Sequence, residues 1–448
     1  MPAPLKYFGT DGIRGKYGGE TINEKFSYSL GIAFAHFLET RKHDKAKPIL
    51  LAQDTRLSGG SLIANCIEGL KERNFNPVNL GILPTPVLAF SILDQGALGG
   101  IMVTASHNPH YDNGLKIISS EGGKLTIEEE LSIESYISAN DHFSIDKELS
   151  TIDNSRYKTA YIKNLRNWFE PDFLNGMKVV IDLANGATKE ISPMVLESFG
   201  AQVISINKGK GLINDEVGSE FTHGLSQRVK KEKADIGLAH DGDGDRVIFV
   251  DERGKKIEGD KILGILALQS PYAGSHISHR NAFVATVHSN SGLEHALKNK
   301  GVSFYRADVG DRNVFSLMKE KGIKWGGESS GHIIYSDYLN TGDGLFSALS
   351  VLKIMQKNRI KISEMASQIS LWPSISIPLE VDTKKPISQF ENLQKYLKEV
   401  RSLYCEQARV LVRYSGTEPK IRILVEAIEE DLKNDIFSNV QRFVSEHI

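Results

Sequence analysis

Residues 234–250, ADIGLAHDGDGDRVIFV, contain the pattern from which the fold of this chain can be predicted. An apolar stretch enters an acidic turn and a second apolar stretch leaves it, as expected for two strands joined by a loop. Asp241, Asp243 and Asp245 alternate with glycines, whose freedom to adopt positive φ lets three carboxylates converge. Ligation by oxygen alone suits Mg²⁺ or Ca²⁺ and disfavours Zn²⁺. We therefore predict that these aspartates bind a divalent cation, with a solvated acidic turn as the alternative.

The order of elements around this stretch occurs three times along the chain. Apolar runs at residues 48–52, 178–182 and 282–287 are each followed by a glycine-containing turn, a helical pattern and a second apolar run. Each series then ends in a polar loop, at residues 104–109, 241–246 and 326–332. Strands that alternate with helices are typical of α/β folds. We predict three similar α/β domains, each of which contributes one loop.

The last part of the chain follows a different pattern. After residues 372–374, strands are predicted at residues 375–381, 409–413 and 420–427, and helices at residues 387–403 and 430–446. The predicted fold class is therefore α/β, with three similar α/β domains plus a smaller C-terminal α+β domain. The predicted domain boundaries are 1–157, 158–258, 259–372 and 373–448.

The composition excludes some classes of protein. The 448 residues include 54 Lys and Arg against 56 Asp and Glu, so a formal net charge of −2 gives no field that favours nucleic acid or an anionic membrane. The two cysteines, Cys66 and Cys405, form neither a disulfide framework nor a metal-spaced pair. No apolar run reaches the ~20 residues that cross a bilayer, and the first residues lack a signal-peptide core. We expect a soluble, cytoplasmic protein without nucleic-acid or membrane partners.

The loop at residues 104–109 places Ser106 at the end of an apolar strand. A rigid strand end is a suitable position for a nucleophile or for a residue that carries phosphate. An ordinary helix-capping or turn serine is the alternative. Because His107 is the adjacent residue, it is a poor base for Ser106, and a hydrolase triad is not indicated. A phosphorylated Ser106 would add about −2 charge and three acceptor oxygens beside the aspartates. Lys116, ten residues further on, is a candidate general acid or base, or a charge clamp.

Two glycine-containing loops carry arginines and suit an oxyanion. Residues 8–15 place Arg14 between glycines, and residues 413–419 bring an arginine together with hydroxyls and exposed backbone N–H groups. Such nests and guanidinium groups bind phosphate, although ordinary turns are the alternative and the Lys-Ser/Thr ending of a Walker loop is absent. The candidate phosphate-binding residues of the second loop and the strand after it are Arg413, Ser415, Gly416, Thr417 and Arg422.

The loop at residues 326–332 has no arginine or lysine and suits hydroxyl groups instead. A carboxylate can accept hydrogen bonds from two sugar hydroxyls while neighbouring donors flank it. The candidate sugar-binding residues are Glu328, Ser330 and His332, and a polar hairpin turn is the alternative reading of this loop.

Together, four loops resemble the phosphoserine, metal, sugar and phosphate loops of the α-D-phosphohexomutase superfamily, in the same order along the chain. The matching residues are 104–109, 241–246, 327–332 and 413–419. Within the superfamily the chain is most similar to the bacterial phosphoglucosamine mutases, at residues 8–15, 112–116, 309–312 and 341–344. Ser329 departs from that branch, which usually carries Gln or Asn there; the difference bears on the substrate and not on the chemistry. The resemblance implies four domains around a central cleft.

The resemblance also implies an isomerase that interconverts glucosamine 6-phosphate and glucosamine 1-phosphate for UDP-N-acetylglucosamine and cell-wall precursor synthesis. The phosphoryl group would pass through phosphorylated Ser106 and glucosamine 1,6-bisphosphate, with a sugar bisphosphate as activator. One Mg²⁺ per chain would be held by Ser106, Asp241, Asp243 and Asp245. The resemblance assigns charge stabilisation or proton transfer to Arg14, Lys116 and Arg246, beside the sugar- and phosphate-binding residues named above.

Three other functions remain open at this point. A phosphomannomutase or phosphoglucomutase would use the same chemistry on glucose or mannose phosphates. A metal-dependent phosphatase would hydrolyse the phosphoserine, and a non-catalytic phosphosugar sensor would need no phosphoryl carrier. The oligomeric state is also open, with a homodimer as one option.

Overall fold

The computed structural model of the chain describes residues 5–137, 152–269, 281–381, 385–414 and 419–446. Its strands form four separate sheets. The chain divides into two units, of which the first comprises residues 1–288 and 303–366 and the second comprises residues 289–302 and 367–448. Most of the predicted phosphate loop lies outside the described residues.

The first sheet of the first unit has five strands in the order β1-β5-β4-β2-β3. Strand β2 is parallel to β3 and β4, whereas β5 is antiparallel to β4 and β1. Helices α1 and α2 pack closely because both have a glycine at the contact: a Cβ atom on Gly69 would lie 2.2 Å from the carbonyl oxygen of Tyr28. The elements are β1 (Ile13–Lys16), α1 (Glu24–Thr40), β2 (Pro48–Gln53), α2 (Gly59–Glu72), β3 (Asn76–Ile82), α3 (Thr85–Gln95), β4 (Gly99–Val103), β5 (Asp112–Ser119) and α4 (Ile127–Glu134).

The second sheet has four strands in the order β7-β6-β8-β9, with β9 antiparallel to the others. All five residues of β8 are buried, which accounts for its continuous apolar sequence. Helix α7 packs on this sheet through Leu225 and Val229. The elements are α5 (Ser155–Arg166), β6 (Lys178–Asp182), α6 (Ile191–Ser198), β7 (Gln202–Ile206), α7 (His223–Glu232), β8 (Ile236–His240) and β9 (Val247–Val250).

The third sheet repeats this arrangement in the order β11-β10-β12-β13, again with an antiparallel last strand. In all three sheets the first strand of the series lies between the second and the third, so the predicted repeat of three α/β domains is confirmed. The elements are α8 (Gly259–Gln269), β10 (Ala282–Thr286), α9 (Ser291–Asn299), β11 (Ser303–Ala307), α10 (Asp311–Lys321), β12 (Trp325–Gly327), β13 (Ile333–Tyr335), α11 (Gly344–Asn358) and α12 (Ile362–Ser367).

The second unit contains α9 and an antiparallel three-stranded sheet in the order β14-β16-β15. Two amphipathic helices cover the sheet and share its apolar core with residues such as Ile421, Ile423 and Val425. The smaller α+β domain is therefore confirmed. Its further elements are β14 (Ser374–Glu380), α13 (Glu391–Tyr404), β15 (Ala408–Tyr414), β16 (Lys420–Ala427) and α14 (Glu430–Ser445).

One structural interpretation of the sequence is wrong. Residues 8–15 are not a loop throughout, because β1 begins at Ile13 and places Arg14 opposite Gly114 of β5. Glycine and charged residues have low strand propensity, so the sequence hides this edge strand, which forms by pairing with a more buried neighbour. Among the helices of the described residues, none is both long and apolar enough to cross a bilayer.

Candidate active site

Ser106 lies on the loop that follows β4, with a backbone φ of +52° and no solvent exposure. A left-handed backbone is unfavourable for serine, so neighbouring contacts must hold it. The Ser106 N–H donates to Thr104 Oγ1 at 2.9 Å, and Asn214 Nδ2 donates to the Ser106 carbonyl oxygen at 2.7 Å. These contacts fix the direction in which the Ser106 hydroxyl points.

The Ser106 hydroxyl points at the acidic loop between β8 and β9. Its Oγ donates to Asp241 Oδ2 at 2.6 Å, which joins the first and second sheets' loops at one point. His107 Nδ1 lies 3.3 Å from the same Oγ. Burial and the charges of Arg246 and Arg14 lower the pKa of His107 to about 3. A base with so low a pKa is weak at neutral pH.

The three aspartates of the acidic loop are buried together. Asp241, Asp243 and Asp245 offer carboxylate oxygens within 4.8 Å of one another. The Oδ1 atoms of Asp243 and Asp245 are buried and have no hydrogen-bond partner in the described part of the chain. Burial and the two neighbouring carboxylates raise the pKa of Asp241 well above its usual range. Crowded, partly unpartnered carboxylates fit a hard divalent cation, so this donor set suits Mg²⁺.

The geometry of this acidic loop depends on the conformation and the hydrogen bonds of its own backbone. Gly244 has a φ of +75°, a conformation that L side chains rarely adopt. The N–H groups of Gly244 and Arg246 donate to Asp241 Oδ1 at 3.1 and 3.2 Å, so this oxygen is turned inward while Oδ2 faces Ser106. Thr85 Oγ1 donates to Asp243 Oδ2 at 2.6 Å from the start of α3.

Three predicted cationic residues converge on Ser106 and the aspartates. Lys116 Nζ, on β5, lies 3.0 Å from Asp243 Oδ2 and 3.2 Å from Asp245 Oδ2. Burial opposes the charge of Lys116, but these two carboxylates outweigh burial and raise its pKa. Arg14 Nη1 donates to Asn108 Oδ1 on the Ser106 loop at 3.2 Å, and Arg246 Nε lies 3.8 Å from Asp245 Oδ1. The site therefore combines a hydroxyl, three carboxylates and three cations.

The predicted sugar loop lies directly beside the acidic loop. The Val247 N–H donates to the Gly331 carbonyl oxygen at 3.2 Å, immediately after Arg246. Ser330 Oγ is buried and has no hydrogen-bond partner among the residues that the structure describes. Glu328 Oε1 accepts from the Gly310 N–H at 3.1 Å. Glu328 and Ser330 thus present polar groups next to the candidate metal centre, as required for a substrate hydroxyl.

His332 contacts two acidic side chains and a backbone N–H group. Its Nδ1 lies 3.6 Å from Asp245 Oδ2 and its Nε2 lies 3.2 Å from Asp311 Oδ2. The Gly342 N–H also approaches Nε2 at 3.1 Å. His332 is buried between these groups and connects two acidic residues.

The predicted phosphate loop is described only at its two ends. Arg413 on β15 and Arg422 on β16 are directly opposite each other in the antiparallel register of the second unit. Two guanidinium groups at one register position suit an anion. The other predicted members, Ser415, Gly416 and Thr417, lie outside the described residues.

Sequence reasoning missed a buried ion pair beneath the Ser106 loop. Arg56 Nε lies 3.0 Å from Asp54 Oδ2, and both side chains have no exposed surface. Arg56 also donates to the carbonyl oxygens of Ser106 at 3.1 Å and Asn108 at 2.8 Å. The sequence places Asp54 and Arg56 directly after the buried strand β2, and this position at the carboxyl end of a parallel strand was the available signal.

Asn214 was also missed, and no local pattern in the sequence indicates it. It reaches the Ser106 loop from a polar segment after β7, and its Nδ2 donates to the carbonyl oxygens of Ser106 and Asn108. Only the folded chain brings these residues together.

The chain matches family descriptions along nearly its whole length. The chain matches four phosphoglucomutase/phosphomannomutase domain families. The matches are α/β/α domain I at residues 5–143, α/β/α domain II at 159–254, α/β/α domain III at 258–371 and the C-terminal domain at 377–442. The chain belongs to the α-D-phosphohexomutase superfamily. The resemblance of the chain to this superfamily is therefore confirmed. Membership implies Mg²⁺ and a phosphorylated serine, and the aspartate cluster of this phosphohexomutase could bind the metal.

The relatives most similar in sequence to this phosphohexomutase include phosphoglucosamine mutases. A phosphoglucosamine mutase from Psychromonas ingrahamii is 42% identical over 438 residues, which cover 95% of this chain and 96% of that protein. A phosphoglucosamine mutase from Nautilia profundicola is 40% identical over 447 residues, which cover 98% of this chain and 99% of that protein. A crystal structure of a phosphoglucomutase/phosphomannomutase family protein from Burkholderia thailandensis shares the fold, with a TM-score of 0.80, 21% identity and coverage of 98% and 97%.

Proposed function

We propose that this phosphohexomutase interconverts glucosamine 6-phosphate and glucosamine 1-phosphate. The observation that carries the proposal is the Ser106 hydroxyl, held 2.6 Å from one of three clustered carboxylates in a chain about 40% identical to phosphoglucosamine mutases. The enzyme is an isomerase that acts by intramolecular phosphoryl transfer. Its product supplies UDP-N-acetylglucosamine and cell-wall precursor synthesis.

Ser106 is the phosphoryl carrier in this proposal. Phosphorylated Ser106 gives its phosphoryl group to the free hydroxyl of the sugar phosphate. The Ser106 O–P bond breaks and a new O–P bond forms; the sugar hydroxyl loses a proton, and the departing Ser106 oxygen takes one up. The resulting glucosamine 1,6-bisphosphate then returns its other phosphoryl group to Ser106. The fixed backbone of Ser106 keeps Oγ in the same place for both transfers.

Asp241, Asp243, Asp245 and phosphorylated Ser106 would hold one Mg²⁺ per chain. When bound, the ion offsets negative charge on the transferring group. A sugar bisphosphate acts as activator because it can phosphorylate Ser106 in enzyme that has lost the phosphoryl group.

Arg14, Lys116 and Arg246 are the catalytic cations of the proposal. They stabilise charge on the transferring phosphoryl group or move the proton. Their support is the placement of Lys116 within 3.2 Å of two carboxylates and of Arg14 on the Ser106 loop. A buried, dry environment strengthens each of these interactions.

The substrate must bind in two orientations, so its phosphate and its hydroxyls need separate sites. Glu328 and Ser330, with His332 behind them, bind sugar hydroxyls in either orientation. In the second unit, the distal phosphate is held by Arg413, Ser415, Gly416, Thr417 and Arg422. The two arginines at one register position support this assignment.

We also propose the domain division that the sequence suggests: a phosphoserine domain at 1–157, a metal-binding domain at 158–258, a sugar-binding domain at 259–372 and a phosphate-binding domain at 373–448. The protein acts in the cytoplasm on a small phosphosugar, without nucleic-acid or membrane partners. A homodimer is the oligomeric state to test first.

The test is an NMR assay of phosphosugar isomerisation with Mg²⁺ and a catalytic amount of sugar bisphosphate, run on glucosamine, glucose and mannose phosphates. We expect a strong preference for the glucosamine phosphates. Comparable rates on glucose 1-phosphate would indicate a phosphoglucomutase or phosphomannomutase instead. Release of inorganic phosphate at the turnover rate would indicate a phosphatase.

A further inference from the structure

A closed ring of acidic and basic side chains passes through the candidate active site, and three of its members, Asp11, Lys124 and Asp311, have no role assigned so far. One half of the ring runs through Lys124, which follows β5. Lys124 Nζ lies 2.5 Å from Asp11 Oδ1 and forms an ion pair with Asp311 Oδ1 at the start of α10. Lys124 therefore joins the segment before β1 to the third sheet's domain. We call this set of six residues, completed below, the charge ring.

The other half of the charge ring runs through the candidate site. The second carboxylate oxygen of Asp311 faces His332, and the other nitrogen of His332 faces Asp245. Asp245 contacts Lys116 at 3.2 Å, and Lys116 Nζ lies 3.1 Å from Asp11 Oδ2. The ring is thus Asp11, Lys124, Asp311, His332, Asp245 and Lys116, in which acidic side chains alternate with basic ones.

We propose that Lys124 is a positioning residue, which sets the orientation of Asp11 and Asp311 and through them the catalytic cations and the sugar loop. This inference rests on the proposed function. Lys124 itself does not act on the substrate. Its effect on the cations passes through Asp11, which also pairs with Arg14 and Lys116.

The effect on the sugar loop passes through Asp311 and the residue before it. The N–H of Gly310 donates to Glu328 Oε1 at 3.1 Å, so the segment that carries Asp311 also holds the candidate sugar-binding carboxylate. The next residue, Arg312, donates to the Gly9 carbonyl oxygen at 3.2 Å and pairs with Glu130. The segment 310–312 therefore contacts the first domain through Asp311 and Arg312, and it contacts the sugar loop through Gly310.

The environment of Lys124 distinguishes it from an ordinary surface lysine. Its side chain is 15% exposed, against 69% for Lys319, which pairs with Glu121 elsewhere between the same two domains. Removing one partner of a buried ion pair leaves an uncompensated charge, whereas an exposed pair contributes little. Without Lys124, Asp11 Oδ1 and Asp311 Oδ1 would face each other with no cation between them, and the two carboxylates would move apart.

The test compares Lys124→Met, Lys124→Arg and Lys319→Met in the phosphosugar isomerisation assay. We expect Lys124→Met to lower kcat by about 10- to 100-fold, the range typical of residues that orient groups at a metal site. KM should rise by a smaller factor than kcat falls, because Lys124 does not touch the substrate and reaches the sugar loop only through Asp311 and Gly310. Lys124→Arg should restore kcat to within about threefold of wild type, since it keeps the charge. Lys319→Met should be unchanged.

Asp311→Asn provides a second variant in case Lys124→Met does not fold. It keeps the shape of the side chain and should lower kcat to a similar degree, and the double variant with Lys124→Met should be no worse than either single variant. A kcat of Lys124→Met or Asp311→Asn within twofold of wild type would overturn the proposal. So would an equal loss in Lys124→Arg and Lys124→Met.

The wild-type rate separates this proposal from the proposed function. If wild type isomerises no glucosamine phosphate, the proposed function fails. The same variants are then compared on the hexose phosphate that wild type does convert, and the kcat pattern across them decides the role of Lys124 independently.

Discussion

The buried pair of Arg56 and Asp54 gives the most quantitative prediction for this protein. Arg56→Met removes the cation and leaves Asp54 fully buried without its partner. Breaking a buried pair on one side costs about 3–5 kcal/mol of unfolding free energy. For a domain of this size, about 2–4 °C of melting temperature corresponds to 1 kcal/mol, so the first domain should melt about 6–20 °C lower.

The assay is thermal unfolding followed by circular dichroism, with two comparison variants. Arg73→Met removes a cation from the pair with Glu39, in which Arg73 is 38% exposed, and should cost less than about 1 kcal/mol. The double variant Arg56→Met/Asp54→Asn removes both charges and should recover at least half of the loss. The reasoning is refuted if Arg56→Met melts within about 2 °C of Arg73→Met, or if the double variant is less stable than Arg56→Met.

Three further predictions concern the metal centre, the sugar loop and the cysteines. Burial and neighbouring carboxylates raise the pKa of Asp241, so Asp241→Asn should leave the melting temperature of the metal-free protein equal or higher. In wild type, Mg²⁺ at 100 times its dissociation constant should add about 2.7 kcal/mol to the free energy of unfolding, and Asp241→Asn should abolish this stabilisation. Ser330→Ala should raise KM about tenfold through loss of one substrate hydrogen bond, whereas Ser198→Ala, whose hydroxyl already donates to a backbone carbonyl, should leave KM unchanged. Burial raises the pKa of Cys66 to about 12, whereas Cys405 is exposed. A thiol reagent at about pH 8 should therefore label Cys405 alone in the folded protein and both cysteines after denaturation. Two fast-reacting thiols in the folded protein would contradict the structure.

The fold could be predicted because its signals are local and repeated. Continuous apolar runs such as Lys178–Asp182 coincide with the buried strands, since a parallel strand covered on both faces has no polar alternation. The strand β1 could not be found in this way. Its residues include a glycine and charges, and it forms a strand because it pairs with β5, which the sequence does not place beside it.

The candidate site was predictable where one loop carries its chemistry and hidden where it depends on contacts between loops. Asp241, Asp243 and Asp245 lie in one short segment, so their convergence follows from spacing alone. Lys124 and Asp311 are 187 residues apart, and only the folded chain pairs them. The sequence predicts that His332 binds the sugar, but it does not indicate the contacts of His332 with Asp245 and Asp311, which appear only in the folded chain.

The central claim is that Ser106 carries the phosphoryl group during turnover. The direct measurement is peptide mass analysis after wild type is incubated with glucosamine 1,6-bisphosphate and Mg²⁺ and quenched in acid. We predict one phosphoryl group per chain on Ser106, its transfer to added glucosamine 6-phosphate at least as fast as turnover, and neither phosphorylation nor turnover in folded Ser106→Ala. Turnover that continues in Ser106→Ala, or a phosphoryl group found on another residue, would contradict the account.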